Sequence, residues 1–288
     1  MAQLHIRQNL HIHTHHSCDS ACALIRTVND SMTRFGIDQF GISDHIHTQY
    51  NLCDIQSSRN DFLSFCPPAN FHFGVEASCM AKEECDRIAR NDYHAWGDEP
   101  VYGFRGKDEP FHGEMSLGIT AQNVKELGIE YVIGGVHWPL GNPQGRQNII
   151  RHYFNQQKFL LEHPLVHILA HPWYSLELAA GDWYTYRDAA HIDRSIFAEI
   201  PQELNDRLGE LALQNRKLIE INAACLFSDS PEYVDFLRKI YTRWKAMGIR
   251  FTFGSDTHSA DFAPDLFTRA EAILGSWGLT ENDFSLPF

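Results

Sequence analysis

The 288-residue sequence contains no apolar run close to the length of a membrane span. Its N-terminus lacks a basic region followed by an apolar stretch, so no secretory signal is expected. The seven cysteines (Cys18, Cys22, Cys53, Cys66, Cys79, Cys85 and Cys225) form an odd set with no CxxC pair. This argues against a disulfide framework and for reduced thiols in a cytoplasm. Basic side chains are scarce, with 24 Lys and Arg against 37 Asp and Glu, for a formal charge of -13. Phosphate backbones attract basic surfaces, so duplex nucleic acid fits poorly as a partner. A small phosphate-bearing molecule is not excluded, because bound metal ions would reverse the local sign. No internal repeat, low-complexity tract or linker interrupts the chain. Oligomeric state is not legible.

Histidine is what the sequence has in quantity. There are 17, many at the ends of apolar, strand-like runs. The alternation of Leu4, Ile6 and Leu10 predicts a strand that runs into Leu10-His11-Ile12-His13. Helical spacing follows over Cys22–Phe35, closed by Gly36. Further strands are expected at Phe40–Ser43, Phe71–Val75, Tyr131–Val136, Leu165–Ala170, Lys217–Ile221 and Arg250–Phe253. Between them lie expected helices at Ser57–Phe65, Ala121–Leu127, Asn148–Leu161, Ser195–Asn215 (interrupted by Pro201), Pro231–Met247 and Pro264–Leu274. Residues from about Ser78 to Gly118 break this rhythm. They are rich in Gly, acids and aromatics (Tyr93, Trp96, Tyr102, Phe104, Phe111) and read as an insertion over a strand end. Seven apolar strands alternating with helices point to an α/β barrel, open or closed. The chemistry of such folds lies beyond the C-terminal strand ends.

Those ends carry His11 and His13, then His45, Glu76, His137, His171, and Asp256 with His258. Asp19 joins them from the loop after the first pair. A lone strand-end histidine is ordinarily a capping or core residue. Six of seven strands ending in His, Asp or Glu is not coincidence. These are the ligand types of zinc, manganese and iron. Nine such side chains exceed the needs of one ion, so two or three divalent ions are expected. Carboxylates can bridge ions, which singles out Glu76 and Asp256.

These residues resemble the PHP (polymerase and histidinol phosphatase) superfamily, in its free-standing histidinol-phosphatase-like branch. The matching motifs are His11-Ile12-His13-Thr14 with Asp19, Ser43-Asp44-His45, Gly74-Val75-Glu76, Gly135-Val136-His137, Ala170-His171-Pro172, Glu220-Ile221-Asn222 and Gly254-Ser255-Asp256-Thr257-His258. They span nearly the whole chain in the family's order. The resemblance implies one domain over residues 1–288, a distorted seven-stranded (β/α)7 barrel with a metal cluster at the C-terminal strand ends. It implies that His11, His13, Glu76 and Asp256 hold one ion. Glu76, His137 and His171 would hold a second, and Asp19, His45 and His258 a third. Many family members have histidine at the Asp19 position. The long 78–118 insertion has no counterpart in the motif set.

The expected reaction is hydrolysis of a small phosphomonoester by metal-activated hydroxide, without a covalent phosphoenzyme. Histidinol phosphate is the substrate the resemblance favours. Glu76, Asp256 and His258 are the catalytic candidates. Arg146, Arg105 and His47 are the candidates for substrate binding, with Arg187 also in range. His15 and His16 sit beside ligands, with either second-layer or surface positions open to them. Asp44 is placed to orient a ligand and Asn222 to line the site. Trp138, Trp173 and Tyr174 could wall the pocket or merely pack, and Cys18 and Cys22 read as packing residues. Two other functions fit less well. One is a phosphodiesterase or nuclease acting on nucleotides or single-stranded ends. The other is a non-catalytic metal-binding regulatory module.

Overall fold

The computed structural model describes residues 4–19, 21–92, 101, 111–141, 143–176 and 194–288. Seven strands run parallel: β1 (Gln8–Asn9), β2 (Gln39–Ile46), β3 (Phe71–Ala81), β5 (Tyr131–Gly135), β6 (Ile168–Leu169), β7 (Leu218–Asn222) and β8 (Phe251–Gly254). They pair in that order, and β4 (Met115–Leu117) lies antiparallel against β3. Backbone bonds join the first strand to the last. Leu10 N–H donates to Phe253 O (3.1 Å), Asp256 N–H to His11 O (2.8 Å), and His13 N–H to Thr257 O (3.0 Å). The sheet therefore closes into a seven-stranded α/β barrel.

Side-chain alternation along each strand sorts residues between lumen and exterior. On β3, Phe71, Phe73, Val75 and Ala77 join the large core under the helices. The alternate positions His72, Gly74, Glu76 and Ser78 face inward, each meeting lumen side chains. Leu10, Tyr131, Ile133, Ile168, Ala170 and Leu218 fill the lumen below the polar end. The Tyr131 hydroxyl lies 2.7 Å from Leu10 O and 2.9 Å from Ile42 O. A Cβ on Gly74 would stand 2.3 Å from the Tyr131 ring, so glycine there makes room for this plug. The lumen is packed, not open, beneath the site.

The helices form where apolar spacing and end signals agree. Helix α1 (Ile25–Phe35) buries Ile25, Val28 and Met32 on one face. Gly36 ends it at φ 71°, donating its N–H to Met32 O and Thr33 O. The helix Pro231–Met247 starts with Pro in its first turn and with Ser230 accepting the Tyr233 N–H. Helices α2 (Leu52–Phe65), α3 (Lys82–Ala89), α4 (Ala121–Leu127) and α5 (Arg146–Glu162) lie between strands. Those at Gln202–Gln214 and Leu266–Ser276 complete the outer layer.

Several boundaries differ from the expected ones. Regular pairing in the first strand is confined to Gln8–Asn9, because the chain beyond it bonds onward to the last strand. Helix α1 begins three residues later than Cys22, and α2 begins at Leu52, ahead of Ser57, after a turn capped by Thr48. Strand β3 passes Glu76 and continues to Ala81, where Cys79, Met80 and Ala81 pair with β4. The stretch 78–118 thus opens as an extension of the sheet followed by α3. Its residues 93–100 and 102–110, which include Tyr93, Trp96, Tyr102, Phe104 and Arg105, lie outside the described residues, as does Arg187.

Candidate metal centre

The structure brings all nine predicted ligands together at the C-terminal end of the barrel. The Nε2 atoms of His11 and His13 lie 3.0 Å apart. Glu76 Oε2 lies 3.1 Å from the first and 3.5 Å from the second. Asp256 Oδ1 lies 3.5 Å and 3.2 Å from the same atoms. Donors at about 2.1 Å from a tetrahedral ion stand about 3.4 Å apart, so His11, His13 and Glu76 have the right spacing to hold one, with Asp256 beside both imidazoles. The other oxygen of Glu76, Oε1, lies 3.0 Å from His137 Nε2 and 2.9 Å from His171 Nε2. Asp19 Oδ2 lies 3.0 Å from His45 Nε2 and 2.5 Å from His258 Nε2. His45 Nδ1 faces Glu76 Oε2 at 3.0 Å, so His45 joins the third group to the first. Glu76, fully buried, stands at the hub.

Small and strained positions aim these groups. A Cβ on Gly135 would stand 2.5 Å from Glu76 Oε1, and one on Gly254 would run into Glu220 Oε1 and His11. Glycine two residues before His137 and two before Asp256 is therefore required by close approach. Asp256 itself adopts φ 54°, a left-handed conformation that Asp tolerates better than most residues. Its N–H, held by His11 O, fixes that turn and points the carboxylate inward.

A second layer of groups fixes the imidazoles. His11 Nδ1 lies 2.6 Å from Glu220 Oε1, which leaves Nε2 for the cluster. The other Glu220 oxygen accepts from the His171 N–H (2.9 Å) and from Asn222 Nδ2 (3.1 Å). Asn222 Nδ2 also reaches Asp256 Oδ2 at 3.1 Å, so it supports a ligand instead of being one. Ser78 Oγ sits between His137 Nδ1 (2.7 Å) and His47 Nδ1 (2.6 Å). Glu220 and Ser78 were not singled out as site residues from the sequence. The available signal was parity. Glu220 shares the lumen-facing side of β7 with Leu218 and Asn222, and an acid there must be buried.

Electrostatics show what the cluster needs. Burial raises Glu76, but His11, His137 and His45 hold its carboxyl well below the usual range. Burial likewise raises Asp256, and His11 and His13 outweigh it. Burial lowers His45, but Glu76 and Asp19 lift it to about 10. Burial and the neighbouring His45 push His13 down to about 3. Ionised carboxylates are thus balanced by protons lodged on some imidazoles and excluded from others. Asp19 Oδ1 and His171 Nδ1 are buried without hydrogen bonds among the described residues. Acceptors facing acceptors, with orphaned atoms among them, fit a set of divalent cations. The mix of imidazole and carboxylate suits zinc, manganese or iron.

The remaining candidates fall elsewhere. His47 is buried and stacks on His45 at 4.6 Å between centroids, behind the cluster and against Trp138. Arg146 pairs with Glu199 (2.9 Å) and Ser195 (2.8 Å). Asp44 accepts from Thr14 N–H (2.6 Å), Thr14 Oγ1 (2.8 Å) and Ser58 Oγ (2.6 Å), so it anchors the loop after β1 and not a ligand side chain. Trp173 is buried with its indole N–H on Asn205, whereas Tyr174 is partly exposed against the His171 ring. Burial pushes the Cys18 thiol up to about 12, which fits a packing residue and not a ligand. Cys22 is exposed. No helix among the described residues is long and apolar enough to cross a membrane.

No family model matches the sequence, and no curated protein matches it. Solved structures do match. A histidinol phosphate phosphatase from Lactococcus lactis, complexed with zinc, L-histidinol and phosphate, aligns with a TM-score of 0.55 at 16% identity, over 95% of this chain and 94% of that one. The chain shares the fold of this phosphatase. A Listeria monocytogenes protein, provisionally named as a histidinol phosphatase, aligns with a TM-score of 0.56 at 15% identity, over 88% of this chain and 96% of that one. The barrel that the motif resemblance implied is therefore the observed architecture.

Proposed function

We propose that the chain is a metal-dependent phosphoric ester hydrolase of the PHP superfamily, acting on a small phosphomonoester, with histidinol phosphate the best single substrate. The observation that carries this reading is the split of Glu76. One oxygen faces His11, His13 and His45, and the other faces His137 and His171. A carboxylate so placed is built to bridge two ions. His11, His13, Glu76 and Asp256 would hold one, Glu76, His137 and His171 a second, and Asp19, His45 and His258 a third. Ions bound there would supply a water of lowered pKa and positive charge against phosphate oxygens. The chain's own part is to hold the donors rigidly and to exclude water from below, where Tyr131 and the lumen residues are packed. Tyr174 borders the mouth beside His171. Arg146 is already neutralised by Glu199, so a phosphate would have to compete for it. The Lactococcus structure supports the substrate class, since that protein was complexed with histidinol and phosphate.

The test joins metal analysis of the purified protein to a phosphomonoester panel that includes histidinol phosphate. Two or three equivalents of divalent metal and hydrolysis of a monoester are expected. Metal without hydrolysis of any phosphoester, across zinc, manganese and iron, would reduce the protein to a binding module.

A further inference from the structure

We infer that His15, His16 and Asp61 form a separate site for one divalent cation of the zinc class, at the rim of the barrel. None of the nine cluster residues belongs to it, and it does not rest on the phosphatase reading. His16 Nε2 lies 2.9 Å from Asp61 Oδ2, and His15 Nε2 lies 3.8 Å from the same oxygen. The two imidazoles are 4.0 Å apart between centroids, tilted by 40°. Neighbouring side chains on an extended chain diverge, so the turn after β1 is what brings both rings to one side. One donor atom from each residue lies within 4.8 Å of the others. These separations bracket the spacing of about 3.4 Å expected around a tetrahedral ion.

The two halves of the site come from different elements, and one buried carboxylate fixes both. Asp44 accepts from Thr14, immediately before His15. It also accepts from Ser58, one turn ahead of Asp61 on α2. The loop is pinned further by His15 N–H on Ala23 O (3.0 Å) and His16 N–H on Thr14 Oγ1 (3.2 Å). The donors are therefore positioned before any ion arrives. Their side chains are 39%, 17% and 54% exposed, which gives an ion and its waters a path in. Two imidazoles and one carboxylate with an open position suit zinc, whereas calcium and magnesium prefer oxygen alone. A cation here would clip the loop that carries His13 and Asp19 to α2.

The test uses the full chain with its cluster loaded and excess metal removed, titrated with zinc alone. One further equivalent is expected to bind to the wild type and raise its melting temperature. Asp61→Asn and His16→Gln are each expected to weaken that equivalent by about 10- to 100-fold or more, with cluster stoichiometry unchanged. Asp61 is half exposed, so its variant probes the ligand with little effect on folding. A wild type that takes up no further zinc would overturn the site, as would both variants binding the extra equivalent like the wild type.

Discussion

The two ends of the barrel use histidine in opposite ways. At the end where the strands begin, His72 places Nδ1 2.8 Å from Glu130 Oε2 and Nε2 2.7 Å from Gln39 Oε1. Both ring nitrogens have protein partners, and nothing further is needed. His167 likewise accepts the Val132 N–H through Nδ1. At the opposite end, His11 has one nitrogen held by Glu220 while the other faces His13, Glu76 and Asp256. His171 Nδ1 has no hydrogen bond among the described residues, and its Nε2 faces Glu76. A histidine satisfied on both sides is structural. A set of histidines whose ring nitrogens converge on carboxylates is arranged to accept positive charge, from protons or from bound cations.

The sharpest way to break that contrast is at the hub. Glu76→Gln should abolish loading of the first two metal positions and cut turnover by about 10²- to 10³-fold or more, read by metal analysis and steady-state kinetics. Full activity in that variant would sink the mechanism. Glu220→Gln touches no ion directly and should weaken metal affinity by about 10- to 100-fold through misaimed His11 and Asp256, measured by competition with a chelator. Unchanged affinity would show that the second layer does not set the imidazole orientation.

Acidity offers a third test, with a definite sign. His45 in the metal-free protein is lifted to about 10, so it carries a proton at neutral pH. A divalent ion must displace that proton. Apparent metal affinity should therefore rise with pH between 6 and 9, by about tenfold per unit for each proton released. Calorimetry in buffers of different ionisation enthalpy counts the protons, and a pH-independent affinity would contradict the assignment. The smallest effect belongs to the other end of the barrel. His72→Gln should leave metal content and turnover intact and cost about 1 kcal/mol in denaturant unfolding. Loss of metal in that variant would erase the distinction between the two ends.

The convergence of the nine donor side chains was legible because barrel geometry imposes order on the sequence. The strands deliver inward residues at or near their C-terminal ends to the same mouth, so reading strand ends amounts to reading the site. His72, early in its strand, falls outside by the same rule. Groups that hold ligands were harder to read. Glu220 acts on His11, Asn222 and the His171 backbone only because β7 lies between β6 and β8. From the sequence, Asp44 is expected to orient a neighbouring ligand. Its outward-facing position on β2 instead delivers it to Thr14 and Ser58. Arg146 had the right charge in the right loop, but Glu199 takes it up.

Local sequence by itself determined the alternation of strand and helix, the caps at Gly36 and Ser230, and the nine donors. Each depends on spacing within a short stretch and on side-chain chemistry. Tertiary structure decided the rest: closure of β1 on β8, extension of β3 to meet β4, and the grouping of donors around Glu76. It also placed Asp61 beside His15 and His16. Those outcomes depend on which distant segments become neighbours, and register between strands is fixed by packing across the whole barrel.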